Sequence, residues 1–100
     1  MKKFLTLGVI GIDHGHIFDM LDEMIKEGCN CNYFWTLGSP LTLKEFRKKY
    51  PNIKRVEDKN EILNDDTVDM VLISSVPKDR ADLSIKVLNA GKDVMVDKPG

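Results

Sequence analysis

The sequence has only two cysteines, in Cys29-Asn30-Cys31, so no disulfide framework can staple it. No second cysteine pair accompanies them to complete a zinc site, and they read as buried structural thiols. Charge of one sign is also missing. Fifteen basic residues face sixteen acidic ones for a net charge of −1, which gives no reason to expect nucleic acid or an anionic membrane as a partner. No apolar run approaches the length of a membrane span. The opening Met1-Lys2-Lys3-Phe4 resembles the start of a secretory leader, but the apolar run breaks at Gly8 and meets Asp13-His14 before any small-residue cleavage site. Internal repeats, low-complexity tracts and linkers are absent as well. What remains is 100 residues, 42% hydrophobic and 31% charged, the composition of one globular domain over residues 1–100, expected in the cytoplasm.

Two kinds of segment alternate along this domain. Phe4 to Ile10 is a short apolar run rich in β-branched residues and closed by Gly11, which reads as a buried strand. Ile17, Met20, Leu21, Met24 and Ile25 then recur at the spacing of a helix stripe. Asn30 to Trp35 alternates as a second strand, with Cys31, Tyr33 and Trp35 on one face. Ser39 or Thr42 can cap a helix running to about Tyr50, where Pro51 stops it. Ile53 to Val56 is a third strand and Lys59 to Leu63 a helical turn. Val68 to Ile73 is a fourth strand, Asp79 to Ala90 a helix with Leu83, Val87 and Ala90 on one side, and Asp93 to Val96 a fifth strand. Apolar strands joined by helical crossovers demand right-handed parallel connections. The predicted fold class is therefore α/β: an open, mostly parallel, doubly wound sheet of about five strands, Rossmann-like, with helices on both faces.

Such sheets bind ligands beyond the carboxyl ends of their strands. After the first strand come Gly11, Ile12, Asp13, His14, Gly15 and His16. A dinucleotide fingerprint starting at Gly11 wants glycine at positions 13 and 16, where this chain has Asp13 and His16. A carboxylate at position 13 repels a phosphate by about 3 kcal/mol at roughly 5 Å and an effective dielectric near 20. Gly15 can replace the missing glycine in a longer loop, and Asp13 can cap the helix instead. His14 and His16 lie two apart, share no helix face and have no third ligand at useful spacing, so no metal is expected. After the second strand, Trp35 through Lys44 contains no acid to hold a free ribose 2′-hydroxyl. Thr36, Ser39 and Lys44 tolerate a 2′-phosphate there, a tilt toward NADP over NAD. After the fifth strand, Lys98 sits between Asp97 and Pro99. An ammonium at that point can stabilise charge developing on a substrate oxygen, and Pro99 favours extended backbone at Lys98.

Ser75-Val76-Pro77, Ala90-Gly91-Lys92 and Asp97-Lys98-Pro99 together resemble the nucleotide-binding domain of the Gfo/Idh/MocA oxidoreductases. That family shows a Ser/Thr-x-Pro loop, a helix ending in Ala-Gly-Lys and a strand ending in Glu-Lys-Pro. The resemblance implies an NAD(P)-dependent dehydrogenase or reductase that moves hydride between nicotinamide and a sugar, inositol or related polyol. It further implies Lys98 as the residue contacting the reacting oxygen and Gly11 with its neighbours as the pyrophosphate loop. Ser74, Ser75 and Pro77 become the nicotinamide-side loop, with Asp97 beside the cofactor in place of the family's glutamate. Arg80 stands where the family often has histidine. The family's substrate domain follows the Lys-Pro motif, so this chain reads as the N-terminal piece of a longer protein, inactive alone. Apolar surface left uncovered by that missing partner domain makes a homo-oligomer an expectation. Two readings from other classes compete. One is a Rossmann-like binding module that has lost catalysis, as the altered fingerprint permits. The other is a receiver-type signalling domain, which needs an acid pair after the first strand and an acceptor aspartate after the third. Here Asp13 stands alone and the third strand ends near Arg55-Val56-Glu57; even Val68 to Ile73, taken as the acceptor strand, runs into serines.

Overall fold

The computed structural model describes residues 5–13, 15–74 and 77–96. Five strands and four helices alternate: β1 Thr6–Ile12, α1 His16–Lys26, β2 Asn30–Trp35, α2 Leu43–Lys49, β3 Lys54–Arg55, α3 Asn60–Leu63, β4 Met70–Ser74, α4 Pro77–Asn89 and β5 Asp93–Val96. All four strand pairings are parallel and the order is β3-β2-β1-β4-β5. The order reverses between β1 and β4, which opens a crevice at their carboxyl ends. This is the open, doubly wound parallel α/β sheet that the strand and helix periods predict.

Two cores lie on opposite faces. Leu7, Val9, Ile17, Leu21, Phe34 and Phe46 are buried where α1 and α2 cover the sheet. Ile10, Ile62, Val71, Ile73, Leu83 and Val87 are buried where α3 and α4 cover the other side. Burial of this apolar surface, at roughly 25 cal/mol per Å², is the main force holding the layers.

Two irregularities depart from simple alternation. In β2 the expected face of Cys31, Tyr33 and Trp35 does not form. The pairing with β1 runs Leu7 to Cys31 and then Gly8 to Tyr33, skipping Asn32. That bulge turns the side chains over, so Cys31 and Phe34 face the α1–α2 core while Trp35 packs toward the other. In β1 the strand does not close at Gly11 but continues to Ile12, with a register shift against β4 between Ile10 and Ile12. Gly11 sits at φ +88°, a conformation that a side chain disfavours, and the bulge swings Ile12 back onto the α1–α2 face.

Smaller differences follow from packing. Ile25 ends the expected α1 stripe but is 41% exposed, while Ile17 and Leu21 carry the buried contact of the helix. Ala90 is exposed, while Leu83 and Val87 carry the α4 contact. Pro77, expected in a loop, opens α4. Its fixed φ and missing N–H suit the first turn of a helix. Cys29 and Cys31 are free and partly buried against the α1–α2 core. Burial pushes the Cys31 thiol up to about 12, a thiol that packs rather than reacts.

Candidate nucleotide site at the strand carboxyl ends

At the switch point between β1 and β4 the pairing of the two strands continues through the backbone. The Asp13 amide donates to the Ser74 carbonyl at 2.8 Å, extending the β1–β4 ladder past Ile12. That bond fixes where the chain leaves the sheet. Gly15 and His16 are exposed just beyond it. Asp13 does not cap the helix, as the sequence permits it to. Gly15 is the N-cap of α1 and brings no side chain of its own to cap the first turn. The physical reason is placement, since Asp13 is held two residues early by its bond to β4. A Cβ at Gly15 would meet nothing within 4 Å. A helix start on a bare glycine beside open space is a place where backbone N–H groups can receive phosphate. His14, Ser75, Asp97 and Lys98 lie outside the described residues.

The loop after β2 is held at both ends by side chains. The Thr42 hydroxyl donates to the Ile12 carbonyl and ties the start of α2 to the end of β1. The helix-capping role expected of Thr42 is not observed, because its hydroxyl is engaged across the sheet. Arg55, reaching from β3, donates through Nη2 to the carbonyls of Thr36 at 2.9 Å and Gly38 at 2.6 Å. Thr36 itself is only 3% exposed, and its hydroxyl has no hydrogen-bond partner. A buried hydroxyl left unpaired is costly and signals a missing partner. Ser39 and Lys44 are exposed and lie clear of that point.

Beside Thr36 opens a cavity of about 550 Å³, lined also by Trp35, Gly38, Arg47, Arg55 and Glu57. Trp35 donates its indole N–H to the Glu57 carbonyl at 3.2 Å, and the Lys59 ammonium lies 4.9 Å from its ring centroid. The sequence reading placed Thr36 here but missed Arg47, Arg55 and Glu57, which arrive from α2 and from the end of β3. One signal was available. Residues 44–55 hold six basic side chains against one acid, Glu45, in a chain of net charge −1.

The structure thus brings Gly11, Ile12, Asp13, Gly15, His16, Thr36 and Ser74 to one edge of the sheet, at the ends of β1, β2 and β4. The geometry fits a dinucleotide: a helix start on glycine at the switch point, with an unpaired buried hydroxyl one strand away. Among the described residues no cluster of three or more His, Cys, Asp or Glu is placed to hold a metal ion, and no helix is long and apolar enough to cross a membrane.

Comparison with known proteins leads to the same place. Over 59 residues, 59% of its length, the chain is 36% identical to an uncharacterised oxidoreductase of Schizosaccharomyces pombe, of which it spans 16%. An oxidoreductase from Erwinia carotovora atroseptica superposes with a TM-score of 0.90 at 27% identity, over 95% of this chain and 28% of that one. A dehydrogenase from Thermotoga maritima gives 0.71 at 29% identity with the same coverages. The chain therefore corresponds to well under a third of these relatives' length. Residues 6–100 match the sequence model of the Gfo/Idh/MocA oxidoreductase family, described as its NAD-binding Rossmann fold. The chain belongs to the Gfo/Idh/MocA oxidoreductases, as their nucleotide-binding Rossmann domain.

Proposed function

We propose that this domain holds a nicotinamide dinucleotide, with preference for NADP, for hydride transfer to or from a sugar, inositol or related polyol. The observation carrying this reading is the convergence at the switch point. Asp13 is anchored to Ser74, Gly15 opens α1 without a side-chain cap of its own, and the pyrophosphate of a dinucleotide suits that helix start. The absence of an acid from Trp35 through Lys44 supports the tilt to NADP. Lys98, one residue past Asp97, is the proposed donor to the reacting oxygen, and Ser75 and Pro77 the nicotinamide-side loop. Hydride passes between the substrate carbon and the nicotinamide ring. The ammonium stabilises the oxygen's negative charge as it develops. The substrate meets this edge from a part of the protein beyond the 100 residues, so the domain alone binds cofactor without turnover.

Two measurements test the reading. Calorimetric titration of the chain with NADH and NADPH should give saturable binding of at least one. Retained helical circular dichroism with no binding of either would instead favour a module that keeps the fold without the chemistry. In a version extended beyond Gly100, Lys98→Ala should lower kcat by at least about a hundredfold, the scale of losing a donor to a developing oxyanion. Turnover surviving within a few-fold would remove Lys98 from the mechanism.

A further inference from the structure

We propose that Cys29 and Cys31 bind a soft monovalent metal ion, Cu(I) by its chemistry, between their two sulfurs in a cavity at the amino-terminal edge of the sheet. Cys31 faces Leu7 near the start of β1, so the site lies at the opposite end of the strands from the nucleotide edge. It stands independently of the dinucleotide reading.

Cys29 leads into β2 and Cys31 lies within it, and side chains two apart on a strand share a face. The bulge at Asn32 comes after both and leaves that relation intact. Both thiols are free, both pack against the α1–α2 core, and both line a cavity of about 270 Å³ together with Ile25, Lys49, Tyr50 and Ile53. No carboxylate or imidazole lines that cavity, and among the described residues no third His, Cys, Asp or Glu completes a cluster. A hard cation lacks its oxygen ligands there, and zinc lacks the rest of a tetrahedron. Two sulfurs between apolar walls suit a soft ion that is content with two ligands. Two residues of strand span about 6.6 Å, more than the usual Cα separation of about 5.5–6 Å across a disulfide. An ion between the sulfurs therefore fits the spacing better than a direct S–S bond.

Burial keeps the Cys31 thiol protonated, so it is no free nucleophile, and a bound ion must displace that proton. One Cu(I) enters and two protons leave. Two Cu–S bonds replace two S–H bonds with no change of oxidation state, and the bis-thiolate complex carries one net negative charge. The Lys49 ammonium on the same wall is the cation placed to balance it, shared with Asp22 at 2.5 Å. Tyr50, at the end of α2, and Asp19 and Asp22, on α1, are the other ionisable groups acting on this corner. The Lys49 bond holds Asp22 below its ordinary value and burial holds Tyr50 above its own, so neither titrates near neutrality. The proton count on binding thus belongs to the thiols.

The test is an anaerobic titration of the reduced chain with Cu(I) held by bicinchoninate, a coloured competing chelator. The chain should withdraw one Cu(I) per molecule, and a tenfold excess of Zn(II) should not displace it. Release of two protons should raise the apparent affinity about a hundredfold per pH unit near neutrality, against about tenfold for a single thiol. That slope is read on the wild type and needs no variant. Cys29→Ser, which lies outside β2, should weaken binding at least about a hundredfold with the circular dichroism unchanged, and Cys31→Ser should do the same. A folded Cys29→Ser chain that keeps its affinity within about threefold, or a tenfold slope in the wild type, would reduce the site to one thiol and overturn the pair. One Cu(I) per two chains, with a dimer on sizing chromatography, would place the ion between molecules and overturn it as well. Zn(II) competing on equal terms would overturn the soft, two-ligand assignment.

Discussion

The two faces of the sheet are packed by different means. On the α1–α2 face four aromatic rings meet: Phe34 lies 4.6 Å from Phe46 between centroids, Phe46 is 5.0 Å from Tyr50, and Phe18 flanks both Phe46 and Tyr50. The buried core of the α3–α4 face is aliphatic, with Trp35 only partly buried against it, and it closes by near contact with backbone. A Cβ on Gly8 would come within 2.4 Å of Ile62 Cγ2, so α3 can seat only on a glycine. Its polar fastening is the buried Lys92, whose ammonium donates to the carbonyls of Asp65 at 2.6 Å and Val68 at 2.9 Å. The difference matters for function because both fastenings of the β2–α2 loop, Thr42 to Ile12 and Arg55 to Thr36, hang from the aromatic side. Damage to that layer should reach the adenosine end of the cofactor, and damage to the other should not.

Phe46→Ala is the strongest test of that contrast. It removes a fully buried ring at the centre of the aromatic cluster and should cost about 3–5 kcal/mol. It also loosens α2, which carries Arg47 and begins next to Thr42. Urea denaturation should show the loss of stability, and NADPH affinity should fall with it. Affinity unchanged in the still-folded variant would separate the layer from the site and break the comparison.

Lys92→Met comes next and probes the other face. The methionine keeps the aliphatic stem but leaves two carbonyls without their donor, at a cost of about 1–3 kcal/mol. Stability should drop while NADPH affinity stays within about twofold, because nothing between Lys92 and the β2–α2 loop transmits the change except the rigid sheet. A matching loss of affinity would show that both faces govern the site.

These two variants also mark how far the sequence could be read. The apolar runs and helix stripes gave the elements and their parallel order, because burial on both faces leaves few other ways to place them. Lys92 was visible as part of Ala-Gly-Lys, but its partners, the carbonyls of Asp65 and Val68, were not. They lie some two dozen residues away and carry no side-chain signal. Gly8 was read only as a break in an apolar run, since its meaning depends on Ile62 across a crossover. Bulges at Asn32 and Gly11 are backbone events, and a single strand's alternation does not announce them. At the carboxyl edge of the sheet, Gly11, Asp13, Gly15, Thr36 and Ser74 were placed in advance because motif spacing and strand ends point there. Arg55 was not, because it reaches the loop from a neighbouring strand and only the parallel pairing of β2 with β3 brings it in.

The smallest expected effect lies at the outer rim of the aromatic face. Tyr50 donates its hydroxyl to Asp22 Oδ1 at 2.6 Å, and Lys49 binds Oδ2 of the same carboxylate at 2.5 Å. The Lys49 bond first, and then the Tyr50 bond, hold the Asp22 carboxyl below its ordinary value of 3.8. A lowered pKa means that the folded chain prefers the ionised form more than the unfolded chain does. The associated stability is therefore present above the ordinary value and fades as pH falls through the lower, folded one. The pair is about half exposed, so solvent screening keeps the contribution small. Tyr50→Phe preserves the ring packing and the Lys49 bond, and at neutral pH it should cost only about 0.5–1 kcal/mol. If the charged acceptor gives the hydrogen bond its strength, the gap in melting temperature between wild type and Tyr50→Phe should narrow as pH is lowered from 7 toward 3. A gap that stayed constant over that range would assign the effect to packing and desolvation of the phenol. The aromatic face would then be held by its rings alone, as the opposite face is held by its aliphatic contacts.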